Sequence, residues 1–131
     1  MAALSTLSNL VPTTRSATIS YPAGDAVVIV VNGARLSEGF PALDRLVVEA
    51  LGDGCRRLVL DLHQVSRIEP EALGALWGVL RGIRRRGGTL AGAGARPDVR
   101  PALEVLSSGG LTLHGTVLAA LSDTHGADSR S

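Results

Sequence analysis

The sequence is short of several residue types, and each shortage removes a class of protein. Cys55 is the only cysteine among 131 residues, so no disulfide can form within the chain, and a reducing compartment fits. Lysine is absent, and the net charge of +1 gives no strong field to attract nucleic acid or lipid. No apolar run approaches the ~20 residues of a membrane-spanning helix. We therefore expect a cytoplasmic protein that neither binds nucleic acid nor inserts into a membrane.

The chain has enough apolar residues to build one core, although aromatic side chains contribute little. Hydrophobic residues make up 45% of the sequence, with only one Trp, one Tyr and one Phe, so Val, Leu, Ile and Ala must form the core. The N-terminus lacks the basic and apolar regions of a secretory signal. We expect a flexible tail over residues 1–16, a folded domain over 17–123 and a polar tail over 124–131.

Strand and helix patterns alternate along the folded part. β-branched and apolar runs predict strands at 17–22, 26–33, 56–65, 89–95 and 111–115. Helical spacing of apolar residues predicts helices at 40–54, 69–88, 96–110 and 117–123. In the first helix, Pro41 is expected near the start and Gly52 near the C-cap. This order predicts an α/β domain with a mixed sheet of four or five strands and about four helices, mostly on one face.

Signatures of catalysis, cofactors and metals are missing. No phosphate-binding loop occurs, and the glycines of residues 91–95 lack the spacing of a dinucleotide fingerprint. His63, His114 and His125 are far apart, and Cys55 has no partner at ligand spacing or adjacent base. The sequence predicts no enzyme, no cofactor and no metal site.

The stretch Glu69-Pro70-Glu71 reads as the start of the second helix. Pro70 suits the first helical position, where a missing N–H costs nothing, and it holds Glu69 extended as an N-cap requires. Carboxylates two positions apart do not face each other on a helix, which argues against an acid/base pair. Asp and Glu are favourable in a first turn because they meet the positive end of the helix dipole. Glu is nevertheless a poor N-cap, which calls for an explanation.

A longer pattern resembles a known family. Gly33, Pro41 and Leu43 precede "LVLDLHQVSRIEPEALGAL", and "RRRGGTLAGAGARPDVRPALEVLSSGGL" follows it. Over roughly residues 24–123, this pattern resembles the STAS domain of bacterial anti-sigma factor antagonists. The resemblance implies a STAS-like fold and a regulatory, non-catalytic protein that binds other proteins in the control of transcription.

The functional motif of that family is altered here. Where the family carries Asp-Ser-Ser-Gly, this chain has Glu69, Pro70, Glu71 and Ala72. In switched members the second serine accepts phosphate from an anti-sigma kinase, and Glu71 stands at that position. Glu71 cannot be phosphorylated and carries a permanent negative charge. Two readings stay open: Glu71 imitates a phosphorylated serine, or it only stabilises the helix.

The resemblance also implies a binding surface and partners. The expected partner is an anti-sigma factor of the kinase-like type or another STAS protein, with a homodimer of this chain as an alternative. Two alternatives remain: a STAS subunit of a membrane transport system, or a sensor of small molecules or nucleotides with a pocket bordered by Gly33 and Glu71. The expected partner-binding residues are Arg35, Leu36, Ser37, Glu69, Pro70, Glu71, Ala72 and Leu73.

Three further features have competing interpretations. Gly74, Gly78 and Gly82 form a stripe on the second helix. The stripe either allows close helix packing inside the domain or forms a groove for a partner. Ser37, expected in a loop, is a candidate for residual phosphorylation. The arginines at 56–57 and 84–86 are interpreted as solvated charges near helix ends, because no aromatic residues are interleaved with them.

Overall fold

A five-stranded sheet forms the centre of the protein. The computed structural model describes residues 18–122. Within them the strands lie side by side in chain order. The first strand is antiparallel to the second, and the remaining neighbours are parallel, which confirms the predicted mixed sheet. The strands are β1 Ile19–Ala23, β2 Ala26–Val30, β3 Arg57–Asp61, β4 Thr89–Ala93 and β5 Thr112–His114.

Helices connect the parallel strands, because parallel neighbours cannot be joined by a tight turn. The two long helices have buried stripes at helical spacing, such as Leu43, Val47 and Ala50 in the first and Leu76, Leu80 and Ile83 in the second. The helices are α1 Leu36–Gly52, α2 Pro70–Arg85, α3 Arg100–Glu104, a 3₁₀ helix Val105–Gly109, and α4 Val117–Ser122.

Alternation along the strands divides the core between the two faces of the sheet. Ile29 and Leu60 point to the face that also buries residues of α1, α2 and α3. Val28 and Val59 point to the other face, where they pack with Ala120 of α4. Three helices therefore cover one face and the short α4 covers the other, which confirms the prediction of helices mostly on one face.

The start of α1 differs from the prediction. The helix begins at Leu36, so Pro41 is its sixth residue and Ser37 lies in its first turn rather than in a loop. Pro41 cannot donate the usual hydrogen bond to the carbonyl of Ser37, which made a start near Pro41 the simpler expectation. The extra turn is held instead by contacts from residues 67–69, described below.

The two predicted tails lie outside the described residues. The tails predicted at 1–16 and 124–131, together with His125, lie outside residues 18–122. The predicted domain limits at 17 and 123 stay predictions. Within the described part, every helix is too short or too polar to traverse a lipid bilayer.

Candidate functional site

The N-termini of α1 and α2 lie together beyond the carboxyl ends of β2 and β3. The chain segments that enter the two helices form a parallel bridge between Arg35 and Arg67. The carbonyl of Ala34 accepts the N–H groups of Ser66 at 2.8 Å and Arg67 at 2.9 Å. The N–H of Leu36 donates to the carbonyl of Arg67 at 3.0 Å. These backbone bonds fix the two helix starts relative to each other.

Glu69 caps the neighbouring helix rather than its own. Its side chain makes no capping bond at the start of α2, although it occupies the N-cap position. Instead its Oε1 accepts the backbone N–H of Ser37 at 3.2 Å, and its Oε2 accepts the Ser37 hydroxyl. The first N–H groups of a helix have no intrahelical acceptor, so this carboxylate satisfies one of them for α1. The side chain of Glu69 spans from the start of α2 to the first turn of α1.

The same contacts alter the acidity of Glu69. The hydrogen bond from the Ser37 hydroxyl, with smaller contributions from backbone N–H groups and from the charge of Arg35, lowers the pKa of Glu69 below 4.5. Partial burial opposes this shift but does not outweigh it. Glu69 is therefore held as a carboxylate.

Glu71 occupies the second position of α2 and stands apart from these bonds. Pro70 is the first helical residue and Glu69 is extended at φ −74° and ψ 151°, as the sequence predicted. Glu71 is exposed in the first turn. Within residues 18–122 its carboxylate makes no hydrogen bond or ion pair. The chain thus presents one engaged and one free carboxylate at the same helix tip.

Most of the residues expected to bind a partner share one surface, but not all. Leu36 is 0% exposed and Ala72 is 4% exposed, so their side chains belong to the core and not to that surface. Leu73 is half-buried against the core. We use the term tip surface for the six residues with accessible side chains there: Arg35, Ser37, Glu69, Pro70, Glu71 and Leu73.

The histidines of the described part do not assemble a metal site. His63 is exposed, and its Nδ1 lies 2.7 Å from Oδ1 of Asp61. His114 contacts the hydroxyl of Thr112 at 3.3 Å. Among residues 18–122, no three His, Cys, Asp or Glu side chains come together as ligands would.

The glycine stripe of α2 faces open space. A Cβ built on Gly74, Gly78 or Gly82 would meet no atom within 4 Å apart from the adjoining backbone of its own helix, so the interpretation as close packing inside the domain is wrong. Gly78 and Gly82 instead border a groove of about 450 Å³ between α1 and α2, together with Phe40 and Val47.

A second cleft was not anticipated from the sequence. It lies at the C-terminal end of α2 beside the 3₁₀ helix and is lined by Trp77, Arg81, Arg84, Arg85 and residues 107–110. From the sequence, the arginine run indicates only helix-end charge. The helical spacing of Trp77, Arg81 and Arg84 was the available signal, since residues three and four apart share a face.

Comparisons with solved structures show the same fold. A putative anti-sigma factor antagonist from Thermotoga maritima superposes with a TM-score of 0.69 at 19% identity, over 82% of this chain and 94% of that one. The anti-sigma factor antagonist SpoIIAA in its unphosphorylated form gives 0.63 at 16% identity, over 83% and 98%. The murine anion transporter Slc26a9 gives 0.61 at 12% identity, over 92% of this chain but 24% of the transporter.

Sequence comparison defines the family more directly. No curated protein matches the chain. The family model described as "Mlab, STAS domain" matches residues 22–122. This range includes all of the helices and all of the strands, apart from the first three residues of β1. The chain therefore belongs to the STAS domain family.

Proposed function

We propose that this protein is a non-catalytic regulatory module that binds a partner protein through the tip surface and lacks a phosphorylation switch there. The proposed partner is an anti-sigma factor of the kinase-like type, or another STAS protein, in the bacterial cytoplasm. The similarity to structures named as anti-sigma factor antagonists supports this class of function. A second copy of the chain is a further candidate for the other STAS protein.

The free carboxylate of Glu71 carries the proposal. It is exposed in the first turn of α2. The resemblance in sequence aligns it with the phosphoacceptor serine of switched relatives. A phosphoserine there would bring a charge of about −1.5 to −2, which a phosphatase could remove. Glu71 brings a single permanent charge, so a partner that binds the tip surface meets the same electrostatics at all times.

Ser37 does not restore the switch in a simple way. Its side chain is exposed, but its hydroxyl already donates to Glu69. Phosphorylation of Ser37 would place a second negative group against that carboxylate, and like charges in contact are destabilising. We infer that Ser37 acts as a structural partner of Glu69.

The test is binding and labelling with a purified kinase-like anti-sigma factor from the native host. We expect the wild type to bind without phosphorylation and Glu71→Ser to take up phosphate from ATP. Glu104→Ser is the matched control, because it removes an exposed helical glutamate outside the tip surface. If Glu71→Ala and Glu71→Gln bind as the wild type does, Glu71 only stabilises the helix and the proposal is wrong.

Labelling of the wild type would also contradict the proposal. Stoichiometric phosphate uptake by the unchanged chain means that a switch is present. Repeating the reaction with Ser37→Ala decides whether Ser37 carries that label.

A second candidate function is a STAS subunit of a membrane transport system. The fold similarity to a domain within the anion transporter Slc26a9 favours it. This function predicts stable co-purification with a transporter ATPase and no affinity for a kinase-like anti-sigma factor. The third alternative, a sensor pocket bordered by Gly33 and Glu71, stays a prediction; the two grooves described above lie away from both residues.

A further inference from the structure

The cleft at the C-terminal end of α2, which we term the arginine cleft, collects positive charge without a matching acid. It is lined by Trp77, Arg81, Arg84 and Arg85 of α2 and by residues 107–110, and its volume is about 510 Å³. Within residues 18–122, no carboxylate lies at ion-pair distance from Arg81, Arg84 or Arg85. Like charges placed together raise the energy of the fold unless an anion joins them.

The helix dipole explains only part of this arrangement. Cations near a helix C-terminus are favourable within the last turn, which accounts for Arg84 and Arg85. Arg81 lies one turn earlier, where the dipole has little effect. Its place in the same cleft as Arg84 follows from their helical spacing.

The opposite wall is shaped to admit two large side chains. A Cβ built on Gly109 would lie 2.9 Å from Cζ3 of Trp77, and one on Gly110 would lie closer still to the Arg84 guanidinium. Gly110 also has a φ of 105°, which L side chains rarely adopt. Two adjacent glycines thus let Trp77 and Arg84 lie directly against the backbone.

From these contacts we propose that the arginine cleft binds a small, soluble, phosphate-rich anion. Guanidinium groups match the oxygens of phosphate in paired hydrogen bonds, and several of them call for a ligand with several charges. The volume is in the range of about 300–1,000 Å³ typical of small-molecule sites, and the cleft is open to solvent, so a soluble ligand can reach it. The hydroxyls of Ser107 and Ser108 donate to backbone carbonyls, so the arginines supply the recognition.

The site is independent of the proposed partner surface. Arg81 is ten positions along α2 from Glu71, or about 15 Å along the helix axis. Failure of one proposal therefore leaves the other in place.

Trp77 allows a direct test, because it is the only tryptophan in the chain. Inorganic tripolyphosphate is titrated into the full chain at low ionic strength while tryptophan emission is recorded. We expect a saturable change in emission, with binding at least ~10-fold weaker in Arg84→Gln, since bonds to charged groups are strong. Arg86→Gln is the matched control: it removes the same charge from the neighbouring C-cap, outside the cleft, and should bind within about twofold of the wild type.

Several outcomes would overturn the proposal. The absence of a saturable change in the wild type excludes the site. Equal weakening in Arg84→Gln and Arg86→Gln shows attraction to surface charge alone. If citrate binds as tightly as tripolyphosphate, the cleft does not select phosphate. If the protein binds only to phosphatidylglycerol vesicles, the ligand is a membrane surface and not a soluble anion. If circular dichroism shows that Arg84→Gln is unfolded, Arg81→Gln takes its place.

Discussion

The carboxylate of Glu69 accepts both the backbone N–H and the hydroxyl of Ser37, and so joins the first turns of α1 and α2. The two residues are 32 positions apart in the chain. This contact explains a glutamate at the N-cap of α2, where its side chain makes no capping hydrogen bond to its own helix. The tip surface is therefore a single unit, and changes in one helix start are expected to affect the other.

Removal of the Glu69 side chain should destabilise the protein more than removal of the Glu71 side chain. Glu69→Ala leaves the Ser37 N–H without its acceptor, whereas Glu71→Ala breaks no bond within the described residues. Glu69→Gln keeps an oxygen acceptor and should fall between them. Urea denaturation measures this order of stability, because the midpoint of unfolding shifts with stability while the dependence of the unfolding free energy on urea concentration stays the same. Equal midpoints for Glu69→Ala and Glu71→Ala would contradict the capping role.

The lowered pKa of Glu69 makes a defined contribution to pH dependence. Because the folded-state pKa lies below 4.5, the ionised group stabilises the fold above pH 4.5. That stabilisation is lost as the pH falls from 4.5 through the lowered pKa. Titration of the Glu69 carboxyl carbon by NMR should give a midpoint below 4.5 in the wild type.

The variant Ser37→Ala tests the cause of the lowered pKa of Glu69, and Ser108→Ala is its control. Ser37→Ala removes the largest contribution to the shift, so the midpoint of Glu69 should move up towards 4.5. Ser108→Ala removes a hydroxyl that donates to the carbonyl of Val105, away from Glu69, so Glu69 should titrate unchanged. A Glu69 midpoint that does not respond to Ser37→Ala would show that another group sets it.

Glycines of α2 and of the 3₁₀ helix should respond oppositely to alanine. The Cβ added by Gly78→Ala meets no atom within 4 Å apart from the adjoining helix backbone, and alanine is favoured over glycine in a helix interior, so the variant should stabilise the fold by up to ~1 kcal/mol. Gly109→Ala drives a Cβ into the Trp77 ring and Leu80, and should cost about 1–3 kcal/mol. Thermal denaturation of the two variants should show a raised melting temperature for Gly78→Ala and a lowered one for Gly109→Ala. Destabilisation by Gly78→Ala would mean that something packs on the open stripe.

Much of the fold follows from local pattern. Ile29 and Val28 lie on opposite faces of β2 as strand alternation requires, and Pro70 begins α2 as its missing N–H favours. Val99 and Leu103, which are four positions apart in the segment predicted as the third helix, are both buried. These features depend on residues a few positions apart, which a sequence displays directly.

The features that were missed depend on distant residues. α1 begins at Leu36 because the carbonyl of Arg67 and the side chain of Glu69 receive N–H groups of its first turn. No periodicity around Leu36 reveals partners in another segment. The arginine cleft is similar, since its shape comes from Gly109 and Gly110 packed against α2 from outside that helix.

Arg57 should contribute more to stability than its place at the start of β3 suggests. Its guanidinium donates to Asp25 in the turn between β1 and β2 and, at 2.9 Å, to the carbonyl of Leu121 in α4. Arg57→Ala should therefore cost about 1–3 kcal/mol and speed hydrogen exchange in α4. Arg45→Ala is the control, since Arg45 pairs with Glu49 at 3.8 Å on the surface and its loss should change stability by less than about 0.5 kcal/mol. If exchange in α4 is equally fast in both variants, Arg57 does not anchor that helix.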